Sequence, residues 1–330
     1  MPSSPSRSRS RSRSRQLALV TGASLALLAG CGSSADSSGS SGSSGSASGA
    51  STAQGAAASS SKVDVVASTD VYGDITEQIG GDKVHVTSVI SDPDQDPHSY
   101  EADTQNQLAL SRAEVVIENG GGYDDFVDRM LKSGGNSSAE VINAVKVSGK
   151  SAPEGGELNE HVWYDFPTVA RIADRIAAAL GKADPGDAAA FTGNAQAFKA
   201  KLKPLEAREA EIRKAHGGEA IGITEPVPLY MTEAAGLVNK TPEAFSEAVE
   251  EGSDVSPRVL KETLALYSGK QVKALVYNAQ TSGPQTQQVE DAAKAAGIPA
   301  VPVTETLPDG KDYLGWMTAN VDALADALNK

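Results

Sequence analysis

The chain has 330 residues, so it can bury a sizeable core in one large or two medium domains. Its formal net charge is −14, although the first 30 residues contain five arginines and no acid, and so acidic a chain favours cations over nucleic acids or an anionic membrane face as partners. Its single cysteine excludes an intramolecular disulfide, a thiolate metal cluster and a Cys-x-x-Cys redox pair.

Residues 1–30 have the order of a secretory signal peptide. Arginines alternate with serines up to Arg15, and two short apolar runs follow, Leu17–Val20 and Leu25–Leu28. A basic region, a short apolar region and then small residues are typical of such a signal, and the apolar part is too short for a convincing spanning helix. The alternative is a nucleic-acid-binding arm, but no segment downstream is basic enough to support it.

The end of this signal, Leu28–Cys31, resembles the lipobox of bacterial lipoproteins. In such proteins the cysteine sulfur receives a diacylglycerol and becomes the first residue, so the resemblance implies a lipid on Cys31. Residues 31–62 then form a disordered tether. From Gly32 to Ser61 nearly every residue is Ser, Gly, Ala or Thr, with Asp36 the only charge, and such a stretch cannot bury enough apolar surface to offset its chain entropy.

The folded part begins near Val63, where short apolar runs start to alternate with helical patterns. The predicted strands are Val63–Ala67, Val84–Ile90, Ala113–Glu118 and Glu140–Val145. The predicted helices between them lie around Tyr72–Ile79, Gln105–Leu110 and Tyr123–Leu131. This alternation favours an amino-terminal α/β lobe over residues 63–183, with a mostly parallel sheet.

A linking helix and a second lobe follow. Asp187 to Ala215 is rich in Ala, Lys, Glu and Arg, which predicts one long helix within a link at 184–217, with a kink at Pro204. Residues 218–330 repeat the alternation, with strands at Ala220–Thr224, Ala274–Asn278 and Ala300–Thr304 and helices near Pro228–Leu237, Pro257–Tyr267, Gln285–Ala296 and Tyr313–Leu328. The predicted fold class is therefore α/β: two lobes, each with a mostly parallel sheet flanked by helices, joined by one long helix.

Four histidines are the nitrogen donors available for a metal. His98 directly follows a predicted strand, which places its imidazole on the carboxyl-end rim of a parallel sheet, where open α/β folds bind ligands. His161 lies just before a helix that Asp165 is expected to cap. A lone loop histidine is more often a surface residue than a ligand, and we interpret His85 and His216 in that way.

Segments around the first two histidines resemble the ligand motifs of the manganese- and zinc-binding substrate-binding proteins of ABC importers, the cluster A-I or zinc-uptake family. Four motifs carry the resemblance, in chain order Asp96–Glu101, Glu160–Asp165, Ile223–Pro226 and Val303–Pro308. The likeness covers roughly Val63 to Lys330. Each motif alone is weak, but four in the same order after a lipoprotein signal make a strong indication.

The resemblance implies a site between the lobes in which four side chains bind one ion directly. His98 and His161 would come from the first lobe, and Glu225 and Glu305 from the second. Each glutamate follows or ends a predicted strand, the same rim position as that of His98. The family often has histidine at the third position and aspartate at the fourth, so the two glutamates here leave the identity of the metal open.

Two imidazoles and two carboxylates make a mixed nitrogen–oxygen site. Because a carboxylate can bind through both oxygens, coordination above four is accessible, which suits Mn²⁺ better than a closed tetrahedral Zn²⁺ site. Zn²⁺ nevertheless binds at least as tightly by intrinsic affinity. The cargo ion is therefore Mn²⁺ or Zn²⁺, with Fe²⁺ as a further candidate.

The function predicted from the sequence is metal capture by an extracytoplasmic protein that is lipid-anchored to the outer face of the cell membrane. The protein is expected to be a monomer without enzymatic activity that delivers its ion to an ABC permease. One alternative is a binding protein for a larger solute or a metal chelate. The other is a metal-dependent hydrolase, which needs an open coordination position and a general base; no His-Glu-x-x-His run or Ser-His-Asp set is evident.

Overall fold

The structure is a computed structural model and describes residues 62–92, 95, 100, 103–154 and 156–330. The predicted signal peptide at 1–30, the predicted lipidation site Cys31 and the tether up to residue 61 lie outside the described residues, and so does His98. Within the described ranges, no helix combines the length and the apolar character needed to span a bilayer.

The first lobe is built on a four-stranded parallel sheet with the strand order β2-β1-β3-β4. Its strands are β1 (Val63–Thr69), β2 (Val84–Ile90), β3 (Val115–Glu118) and β4 (Glu140–Asn143). Its helices are α1 (Asp70–Gly80), α2 (Thr104–Arg112), α3 (Asp125–Gly134), α4 (Ala144–Ser148) and α5 (Phe166–Ala183). The central strands β1 and β3 are almost entirely buried, as expected for parallel strands covered by helices on both faces.

The second lobe repeats this plan with a parallel sheet of order β6-β5-β7-β8. Helix α6 (Ala188–His216) precedes this lobe. The strands of the lobe are β5 (Ala220–Ile223), β6 (Val238–Asn239), β7 (Leu275–Asn278) and β8 (Ala300–Val303). Its helices are α7 (Leu229–Ala234), α8 (Glu243–Glu250), α9 (Pro257–Ser268), α10 (Pro284–Ala296) and α11 (Tyr313–Leu328).

Helix α6 joins the two sheets and supplies part of the core that they share. It is 29 residues long and continues through Pro204, whose ring does not end it. The buried apolar side chains of α6 are Phe191, Ala195, Phe198, Leu202, Leu205 and Ile212. They belong to the largest hydrophobic cluster, which also holds residues of α1, α5 and α11 and of both sheets. The lobes therefore rest on one continuous apolar layer.

The α/β class with two parallel-sheet lobes and one long connecting helix is confirmed. The domain limits at 63–183, 184–217 and 218–330 stay predictions. Three short elements were not predicted, namely α4, β6 and α8. Each is at most eight residues long, which is too short for a hydrophobic period to stand out in the sequence.

Candidate metal centre

Three of the four predicted ligands lie in one buried cleft between the lobes. The exposed fraction is 0% for His161, 2% for Glu225 and 8% for Glu305. Nε2 of His161 lies 3.8 Å from Oε2 of Glu305, and both glutamates line a cavity of about 700 Å³. The fourth predicted ligand, His98, lies outside the described residues. The cleft thus brings together one nitrogen donor and two carboxylates that are far apart in sequence.

The position of His161 follows from the start of α5. The side chain of Asp165 accepts a hydrogen bond from the backbone N–H of Thr168 at 3.0 Å, so the predicted cap of this helix is confirmed. A single 3-10 turn, Val162–Tyr164, separates this cap from His161. The imidazole packs edge-on against the buried ring of Trp163, at 5.1 Å between centroids, and is thereby held in the cleft.

Asn159 orients the imidazole and connects the two lobes. Its Oδ1 accepts from Nδ1 of His161 at 2.8 Å and from the His161 backbone N–H at 3.1 Å. A proton on Nδ1 leaves Nε2 as the nitrogen that can ligate a metal. The Asn159 amide also donates to the carbonyl oxygen of Pro226 at 3.1 Å, and the Tyr230 hydroxyl donates to the Asn159 carbonyl at 2.6 Å. The loop that carries His161 is therefore bonded to the residue following Glu225.

The two glutamates lie beyond the carboxyl ends of β5 and β8, as predicted from their strands. Asn278, the last residue of β7, donates to Oε1 of Glu305 at 2.7 Å and so orients that carboxylate. Oε2 of Glu225 is buried and has no hydrogen-bond partner within the part of the chain that the structure describes. Because buried polar atoms are nearly always satisfied, this oxygen is available to a partner such as a cation.

Burial and the charges in the cleft keep protons on Glu225 and His161 when no metal is bound. Burial raises the pKa of Glu225 to about 8, and the neighbouring charges of Glu250 and Glu305 add to the shift. Burial by itself lowers the pKa of His161, but the charge of Glu250, the hydrogen bond of Glu305 and the charges of Glu160 and Glu305 outweigh it and raise that pKa to about 10. A cation entering the cleft must therefore displace protons.

Glu250 is a member of the cleft that the sequence did not reveal. It is the last residue of α8, and its Oε1 lies 3.2 Å from Nε2 of His161. With Glu160 and His161 it offers ligand atoms that all lie within 4.8 Å of one another. In the sequence it belongs to an acidic run with Glu251, which is typical of a solvated helix surface.

The other two histidines each lie near one acidic side chain. His85 is 69% exposed at its side chain and lies 3.2 Å from an Asp64 carboxylate oxygen. Nδ1 of His216 lies 3.3 Å from a carboxylate oxygen of Glu219, three residues further along the chain. Neither lines the cavity that holds Glu225 and Glu305.

Residues 65–327 match the family described as ZnuA, zinc-uptake complex component A, periplasmic. The chain is 25% identical over 292 residues to the manganese ABC transporter substrate-binding lipoprotein scaA of Streptococcus gordonii, with 83% of this chain and 91% of the relative covered. It is 29% identical over 245 residues to the manganese-binding lipoprotein MntA of Bacillus subtilis (strain 168), with 73% and 78% covered.

Solved structures show the same fold. A crystal structure of ZnuA superposes with a TM-score of 0.68 at 23% identity, covering 81% of this chain and 99% of the other. The periplasmic zinc-binding protein TroA of Treponema pallidum gives a TM-score of 0.68 at 22% identity with the same coverage. At these identities the likeness concerns the arrangement of the two lobes.

Proposed function

The chain belongs to the zinc-uptake complex component A family, and from this premise we propose that it captures one divalent transition-metal ion between its lobes and delivers it to an ABC permease. The observation that carries the proposal is that Glu225 and Glu305 line one cavity and that Nε2 of the buried His161 lies 3.8 Å from Oε2 of Glu305. The cargo is Mn²⁺ or Zn²⁺, with Fe²⁺ as a further candidate, because a mixed set of imidazole and carboxylate ligands accepts all three.

In this proposal His98, His161, Glu225 and Glu305 ligate the ion. Asn159 fixes the imidazole with Nε2 towards the cleft, and Asn278 holds one oxygen of Glu305 so that the other faces the ion. Four protein ligands fill a four-coordinate site and leave no position there for an activated water, which supports binding and release of a cation over hydrolysis. Membership of a transport family supports this function over a hydrolase or a receptor for a larger solute.

A thermal-shift titration tests metal capture on the purified protein. An ion that binds only the folded state at a free concentration 100 times its Kd stabilises that state by about 2.7 kcal/mol, which raises the melting temperature of a chain of this size by roughly 5–10 °C. We expect such a rise with Mn²⁺ or Zn²⁺ and none with Mg²⁺ at equal ionic strength. A flat response to manganese, zinc and iron alike would refute metal capture.

We further propose that a lipid on Cys31 anchors the protein to the outer face of the membrane and that residues 32–61 tether a monomer to it. The names of the relatives as lipoproteins support this anchor. Replacing Cys31 with serine is expected to move the protein from the membrane fraction to the soluble fraction of cells and to abolish labelling by a radioactive fatty acid. The control Ser33→Ala should stay in the membrane fraction; a Cys31→Ser protein that also stays there would exclude the anchor.

A further inference from the structure

We propose that Glu250 is an additional ligand of the metal, a third carboxylate that α8 brings into the cleft. This inference rests on the proposed function, and it adds to the ligand set implied by the family resemblance, which contains no residue of α8. It depends on three features of the cleft: the distance of Glu250 from the imidazole, the way α8 holds it there, and the buried oxygen of Glu225 in the same cavity.

The distances place Glu250 where a ligand of the same ion would lie. Two donors that are each about 2.1 Å from one cation are about 3.0 Å apart at a right angle and about 3.4 Å apart at the tetrahedral angle. Oε1 of Glu250 is 3.2 Å from Nε2 of His161, between these values. Oε2 of Glu305 is 3.8 Å from the same nitrogen, which needs a wider angle. Glu250 therefore satisfies the geometry at least as well as Glu305.

Packing of α8 keeps the carboxylate of Glu250 in this position. Phe245 is fully buried, and Val249 is nearly so, in a core cluster that α8 shares with α9. The Glu250 side chain itself is only 13% exposed and lines the same cavity as Glu225 and Glu305. It is thus held by a packed helix and does not reach the cleft from a mobile surface loop.

The composition of the cavity favours a bound cation. Three glutamates with restricted access to water repel one another, and buried carboxylates are stable only when they are paired, protonated or bound to a metal. Glu225 is 2% exposed and lines the cavity. Its Oε2 has no hydrogen-bond partner within the described ranges. A divalent ion beside His161 supplies the positive charge that all three carboxylates share.

A third carboxylate changes the metal preference of the site. Each added oxygen donor makes the site harder and raises the coordination number that it can offer, which favours Mn²⁺ relative to tetrahedral Zn²⁺. Glu250 is therefore a selectivity residue as well as a ligand. Its removal should weaken Mn²⁺ binding more than Zn²⁺ binding, whereas loss of a merely nearby negative charge should weaken both ions equally.

The test compares Glu250→Gln with the matched control Glu251→Gln in the full chain, using competition titrations with Mn²⁺ alone and Zn²⁺ alone. Glu251 has the same charge, is adjacent and exposed, and borders the same cavity. Glu250→Gln should weaken Mn²⁺ binding by about 10- to 100-fold or more and Zn²⁺ binding by a smaller factor. Removal of an outer-sphere partner alone typically costs about 10- to 100-fold in metal affinity. Glu251→Gln should change either affinity by less than about fivefold.

A second variant, Glu250→Asp, separates ligation from charge. It keeps the negative charge but withdraws the carboxylate oxygens by one methylene. If Glu250 is a ligand, the Mn²⁺ affinity of the protein should therefore fall in this variant as well. Wild-type Mn²⁺ affinity in both Glu250 variants would overturn the inference. Tighter Mn²⁺ binding in these variants would overturn it too, because it would show that Glu250 competes with the metal for His161. Absence of metal binding by the unmodified protein would instead refute the proposed function itself.

Discussion

The His161→Ala protein is expected to lose tight metal binding and to keep its fold. Nε2 of His161 is the nitrogen on which the carboxylates of Glu250 and Glu305 converge, at 3.2 and 3.8 Å. Removing this nitrogen deletes a proposed ligand and leaves the nearby carboxylates without a partner on that side, so we expect a loss of affinity greater than about 100-fold, the upper end for outer-sphere changes. The truncated side chain leaves a small space in a large core, which costs about 1–3 kcal/mol of unfolding free energy.

Calorimetric titration with Mn²⁺ and Zn²⁺ measures this loss, and far-ultraviolet circular dichroism checks the fold. His85→Ala is the matched control, because it removes an exposed histidine that lies beside Asp64 and outside the cavity that holds Glu225 and Glu305. This control should bind like the unmodified protein. Wild-type affinity in His161→Ala would show that the ion binds elsewhere.

Metal affinity is expected to fall steeply as the pH is lowered from 7.5 to 5. The metal requires a neutral imidazole and ionised carboxylates. In the metal-free cleft the pKa of Glu225 is about 8 and that of His161 about 10, so both groups hold protons at pH 7 that the metal must release. Release of one to two protons lowers the apparent affinity by roughly 10- to 100-fold for each pH unit of acidification, since one proton corresponds to a factor of ten per unit.

The number of protons released can be measured directly. Titrations at one pH in buffers of different ionisation enthalpy give an apparent heat that varies linearly with that enthalpy, and the slope is the number of protons. We expect a slope between one and two near pH 7 with the unmodified protein. An affinity that stays constant between pH 7.5 and 5, with no protons released, would exclude a site built from these residues.

The fold could be predicted from the sequence because its signals are local. Alternating apolar runs and helical segments indicate parallel sheets, and the breaker-poor stretch around α6 indicates one long helix. Strands such as β2 were predicted with their observed limits, while α8 was not predicted at all. A helix of eight residues with few buried positions is defined by what it packs against, and that information is not local.

The site could be predicted only in part, for the same reason. His161 precedes a capped helix, and Glu225 and Glu305 follow strands, so each has a local signal that the family resemblance could interpret. Glu250 has no such signal, since an acidic residue at the end of a short helix is usually solvated. The bond from Asn159 to Nδ1 of His161 likewise depends on how one turn folds back on the imidazole.

Anomalous diffraction from crystals loaded with Mn²⁺ or Zn²⁺ tests the proposed metal centre most directly, because it locates the ion without relying on any variant. A single peak is expected between the lobes, about 2.0–2.2 Å from Nε2 of His161 and from oxygens of Glu225 and Glu305, the usual bond lengths for these ligands. A single peak bonded to none of these three side chains would contradict the proposed site.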